Sequence, residues 1–81
     1  MPETLVQSTA LAIRHFRKLR QFSQEELAAR ASLDRTYISG VERGTRNITL
    51  SSLEQIIHAL GITTSEFFNF IITTQKYELP H

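Results

Sequence analysis

Apolar residues fall at three- and four-residue steps along five stretches of the chain, the spacing of helices with one buried face. Leu5, Ala12, Ile13 and Phe16 mark the first, predicted to open near Thr4 on a Thr4–Gln7 capping box and to run to about residue 20. The second starts at Ser23. Ser23 and Glu26 stand in the S-x-x-E relation, and Phe22 and Leu27 have hydrophobic-staple spacing. Leu27, Ala28 and Ala31 form its narrow apolar stripe, small enough for another helix to approach closely. The third follows Asp34, a favourable N-cap, points Ile38 and Val41 inward and stops at Gly44. The fourth follows Thr49, with Leu50, Leu53, Ile56, Ile57 and Leu60 as the expected buried face and Gly61 as its C-cap. The fifth, about 64–73, follows a Thr63–Glu66 box and carries Phe67, Phe68, Phe70, Ile71 and Ile72. The tail from Gln75 to His81 is expected to fray. No hairpin signal interrupts this order, so the predicted fold is all-α, a single five-helix domain over residues 1–81.

The fifth stretch is too apolar for an ordinary surface helix. At about 100° per residue its apolar positions spread over about 200°, twice what a core-facing stripe needs. Phe67 and Ile71 suffice to close a monomer core. Phe68, Phe70 and Ile72 are then left as an interaction patch, and a homodimer across this helix is expected. The alternative is that the tail folds back over them.

Composition narrows the chemistry. Eighty-one residues without cysteine allow one thin core with no disulfide and no thiolate metal site. His15, His58 and His81 lie far apart and show no ligand spacing, so neither metal nor cofactor is expected. No apolar run approaches the ~20 residues of a membrane span, and no signal-peptide core is present, which leaves the cytoplasm as the default location. A nucleophile–base order, a phosphate loop and a pocketed carboxylate pair are all missing, so an enzyme is not expected.

Charge is uneven. The first 49 residues carry eight Lys/Arg against five Asp/Glu, whereas the rest carry one Lys against three Glu. Seven of the nine basic residues are Arg, whose planar fork fits phosphates and guanine edges. Taken singly, Arg35, Arg43 and Arg46 each read more readily as part of an ordinary solvated face; their placement together gives them meaning. Two short helices separated by Ser32 to Asp34 make a helix-turn-helix spacing, in which the first braces the second so that its outer face protrudes. With Ile38 and Val41 inward, Thr36, Ser39 and Arg43 face out, Arg35 sits at the N-terminal tip, Tyr37 lies at the flank and Glu42 lies towards the side, with a structural role that buttresses the helix open to Glu42 or Arg43. Arg35 and Thr36 are therefore the candidates for base readout, at guanine O6/N7 and a thymine methyl. Gln24, Arg43, Arg46 and Asn47 are the candidates for the DNA backbone or adjacent minor groove. Glu25, exposed on the second helix, is a candidate contact for RNA polymerase if the chain activates transcription.

From Ile13 to Phe68 the sequence resembles the Cro/repressor-like helix-turn-helix family of prokaryotic regulators. The resemblance is carried by Ile13, Arg17, Ser23-Gln24, Leu27-Ala28, Ile38-Ser39, Glu42, Gly44, Arg46, Leu53, Leu60-Gly61 and Phe67. Within that family, Leu33 to Gly40, the Arg46-Asn47 pair and the length are similar to the controller proteins of restriction–modification systems. That resemblance implies a lambda-repressor-like domain acting as a homodimer on operators of its own and the endonuclease gene, activating at low occupancy and repressing at high occupancy. It implies readout by Arg35, Thr36 and Ser39, with Gln24, Tyr37, Arg43, Arg46 and Asn47 on phosphate or groove. Phage-type repressors and antitoxins share the motif, so a protein-directed role stays open. Two positions depart from the family: Ser32 stands where the turn usually has Gly, and Ile48 where the loop usually has Pro.

Overall fold

Residues 4–74 are described by a computed structural model, and among them lie five helices and no strand. They are α1 (Leu5–Leu19), α2 (Gln24–Ala31), α3 (Arg35–Glu42), α4 (Leu50–Leu60) and α5 (Thr64–Thr74). The tail expected to fray lies outside the described residues.

Most starts are written in side chains. Thr4 and Gln7 form the reciprocal box at α1, with the Gln7 amide N–H donating to Thr4 Oγ1 at 3.1 Å and the Thr4 N–H donating to Gln7 Oε1 at 3.0 Å. Thr63 and Glu66 do the same at α5, at 2.9 and 3.0 Å. The Thr63 backbone N–H donating to the carboxylate, with the Thr63 hydroxyl beside it, holds the Glu66 carboxyl below its ordinary pKa, because hydrogen bonding favours the ionised form. At α2 only half of the expected box exists. Ser23 Oγ accepts from the Glu26 N–H, while the Glu26 carboxylate turns away to Arg30 at 3.0 Å. Asp34 takes the N-cap backbone conformation of α3, but its carboxylate makes no capping bond.

The helices close on one cluster in which Ile13, Leu27, Ile38, Ile56, Leu60, Phe67 and Ile71 are almost wholly removed from water. α2 packs against both α3 and α4, and α1 spans α3, α4 and α5. Arg20, at the end of α1, donates from Nε to the Leu60 carbonyl at 2.8 Å and so caps the last turn of α4. Gln55 Nε2 donates to the Ala31 carbonyl at 3.1 Å, tying α4 to the end of α2.

Two expected core residues are not in the core. Leu5 is 47 % exposed and Leu50 84 % exposed. Both occupy the first position of their helices, where a side chain projects past the end of the bundle instead of against it. Ser8, Thr9 and Ala10 are buried on α1 in their place, because small side chains let the neighbouring elements come close.

Candidate nucleic-acid interface

The turn between α2 and α3 is tight because Ser32 adopts the left-handed conformation at φ 58°, where an L side chain is strained. The next N–H, from Leu33, donates to the Ala28 carbonyl at 2.9 Å and closes the end of α2. Leu33 then packs against the core. α3 leaves this corner with Ile38 and Val41 sealed inward.

The outward side matches the sequence-based expectation in most respects. Arg35 and Thr36 are exposed at the N-terminal tip, and Arg43, Arg46 and Asn47 are exposed at the other end and in the loop. Ser39 is half-buried and accepts a hydrogen bond from Arg43 Nη1, so these two form one unit along the helix. Tyr37 is half-buried, with a buried hydroxyl that makes no hydrogen bond, and the Arg46 guanidinium lies 5.4 Å from its ring centre. Arg46 gets there over Gly40. A Cβ at position 40 would stand 3.1 Å from the Arg46 Cγ, so the missing side chain makes room for the arginine stem. The loop between them is fixed by Thr45, which returns both its N–H and its hydroxyl to the Gly40 carbonyl, at 3.0 and 3.1 Å.

Two residues differ from their expected surroundings. Glu42 does not lie at the side of the reading face: its side chain is 4 % exposed and takes both ends of the Arg17 fork, at 2.6 and 2.9 Å. Arg17 spends its remaining nitrogen on the Phe22 carbonyl at 2.9 Å. Gln24, expected at a phosphate through the exposed N–H groups of the first turn of α2, donates its side chain from Nε2 to the same Glu42 at 3.2 Å. A buried carboxylate therefore gathers α1, the start of α2 and the end of α3. Sequence periodicity does not show this. Arg17 and Glu42 are 25 positions apart, and nothing local links them.

The patch expected on α5 is divided. Phe70 is half-buried and packs inside the molecule, 4.1 Å from the His15 ring and 5.3 Å from Phe16. Ile72 is 48 % exposed. Phe68 is half-buried and lines an open groove of about 310 Å³ with Leu5, Val6, Ile48, Leu50 and Leu53. Among the described residues no cluster of metal-ligating side chains occurs, and no single helix is long and apolar enough to cross a membrane.

Residues 13–67 match the helix-turn-helix family. The chain belongs to that family. Control protein C.MunI of Mycoplasma sp is 55 % identical over 49 residues, covering 60 % of this chain and 66 % of that protein. Control protein C.BamHI of Bacillus amyloliquefaciens is 50 % identical over 48 residues, covering 59 % of each. The chain thus spans about three-fifths to two-thirds of the length of these curated relatives. The wild-type restriction–modification controller protein C.Esp1396I has the same fold, with a TM-score of 0.82 at 39 % identity over 86 % of this chain and 93 % of that one. That controller has also been solved as a tetramer in complex with its natural 35-base-pair operator.

Proposed function

We propose that this chain is a sequence-specific DNA-binding regulator of the restriction–modification controller type, working in the cytoplasm as a homodimer on a roughly palindromic operator. The observation that carries the reading is the contrast across α3. Its inner face is sealed to the core, and its end is locked to α1 through Glu42, while Arg35 and Thr36 stand exposed at the tip. A rigid rod with an arginine-tipped outer edge is what major-groove reading requires. Relatives named as control proteins, and an operator complex of a controller with the same fold, support the same assignment.

In this reading Arg35 and Thr36 touch base edges, assisted by Ser39. Arg43, Arg46 and Asn47 hold the phosphates or adjacent minor groove, with Tyr37 supporting Arg46. Gln24 contributes through the backbone N–H groups of the first turn of α2, since its side chain is engaged by Glu42. The operator governs the chain's own gene and that of the endonuclease. RNA polymerase enters as a partner when the regulator activates, and Glu25, exposed at the start of α2, is the contact offered to it.

The second subunit is proposed to pack on the apolar end of the molecule. Phe68 and Ile72 provide the contact, extended by Leu5 and Leu50, while Phe70 is packed on His15 and Phe16. A two-fold axis there would separate the reading helices by about one DNA turn, ~34 Å.

Titration of labelled operator and scrambled duplex tests the proposal. Arg35→Ala should relax discrimination at one base pair by roughly ten- to a hundredfold, the range of a bidentate arginine–guanine contact. Arg46→Ala should weaken binding to both duplexes alike and reduce the salt slope by about one. Indifference to both substitutions would leave the chain as a protein-interaction module. In sedimentation, Ile72→Glu should convert a micromolar dimer to monomer.

A further inference from the structure

We propose that Glu25 is a positioning residue for Arg35: the carboxylate from α2 holds the guanidinium in its reading orientation and withholds it from phosphates. This rests on Arg35 as the base-reading residue.

The first turn of α2 presents three polar side chains in succession, and each has a different destination. Gln24 turns inward to Glu42. Glu26 turns along its own helix to Arg30. Glu25 points across the turn, and its Oε1 lies 4.0 Å from the Nε of Arg35. Its side chain is 80 % exposed and Arg35's 59 %, so neither group is there because packing forces it. Among the described residues no hydrogen bond holds either one.

A carboxylate on a face built for DNA costs affinity, because every phosphate repels it. Placed beside Arg35 it has two compensating effects. First, Nε is the guanidinium nitrogen that it approaches, and it makes no hydrogen bond to Nη1 or Nη2. Those two nitrogens are the pair that meets guanine O6 and N7 end-on. Arginine carries large rotamer freedom, and a neighbouring opposite charge biases it before binding. Second, Glu25 neutralises Arg35 wherever no guanine is offered. Non-specific DNA then loses a phosphate contact that an unpaired arginine would supply, which widens the gap between right and wrong sites.

The test compares Glu25→Gln with the unaltered protein by fluorescence anisotropy on operator, single-substitution operators and scrambled duplex. Glu25→Gln should lower the ratio of operator to scrambled affinity about three- to fivefold, the strength of an exposed ion pair. The loss should be concentrated at the same base pair that Arg35→Ala relaxes. In an Arg35→Ala background the same substitution should leave the ratio unmoved, and Glu25→Asp should restore part of it. Equal strengthening on every duplex would overturn the proposal, because the carboxylate would then be plain repulsion. An unchanged ratio with a normal thermal melt would overturn it as well. Failure of the underlying reading is separable: there Arg35→Ala itself would leave the ratio intact.

Discussion

α2 and α3 are equal in length, eight residues each, yet they are held in different ways. α2 is stabilised from within its own sequence. Ser23 caps it, Glu26 and Arg30 pair one turn apart, the Arg30 guanidinium lies 4.4 Å from the Phe22 ring centre, and Ser32 closes the end. α3 has little of this. Asp34 makes no side-chain cap, no acidic residue stands in its first turn and no basic one in its last. It is held from outside, by Ile38 and Val41 in the core, by Glu42 on Arg17, and by the loop folded back onto Gly40. A helix fastened along one side and at its far end keeps its tip and outer face available. A helix fastened by its own capping side chains would have committed some of them already.

The comparison breaks most severely at Glu42. Glu42→Ala strands the Arg17 guanidinium in a buried site and should cost about 3 kcal/mol or more. Urea denaturation should show a large drop in midpoint with little change in slope, and the thermal midpoint should fall by more than ~10 °C. The caps sharpen the contrast. Ser23→Ala removes a real hydrogen bond and should destabilise by about 1 kcal/mol, while Asp34→Ala should fall within ~0.5 kcal/mol of no effect. Parallel denaturation curves of the two variants decide it, and equal losses would mean that α3 is locally capped after all. Ser32→Gly relieves a left-handed serine and should raise stability by ~0.5–1 kcal/mol without altering DNA affinity. The smallest effect lies at the α5 box, away from both helices. The folded Glu66 pKa is lowered, so its contribution is present above the ordinary glutamate range and is lost as pH falls through the lowered value. Glu66→Gln should flatten the melting profile on the acid side, below the ordinary glutamate range, and leave neutral DNA binding alone.

Much of the fold is legible in the order of residues. Helix starts at Thr4, Ser23, Thr49 and Thr63 are local hydrogen-bond chemistry, and each is present in the structure. The inward residues of α2, α3 and the middle of α4 follow from the helical period. Periodicity misleads at helix ends. Leu5 and Leu50 share the phase of buried neighbours but sit where the bundle has ended. Position along the axis, not phase around it, decides their burial. The exposed residues of α3 are legible because Ile38 and Val41 leave only one side free. The connections are not, since the partners of Gln24 and Glu42 lie on other helices.

From the order of residues alone came five helices, a three-residue turn and an arginine-tipped outer edge on the third helix. Those features depend on interactions within a few positions of one another. Only tertiary packing decided that Glu42 would be buried beneath Arg17, that Phe70 would stack on His15, and that Glu25 would face Arg35. Each of these joins side chains that meet only when separate helices have docked, and a pattern read along one helix carries no information about what stands opposite it.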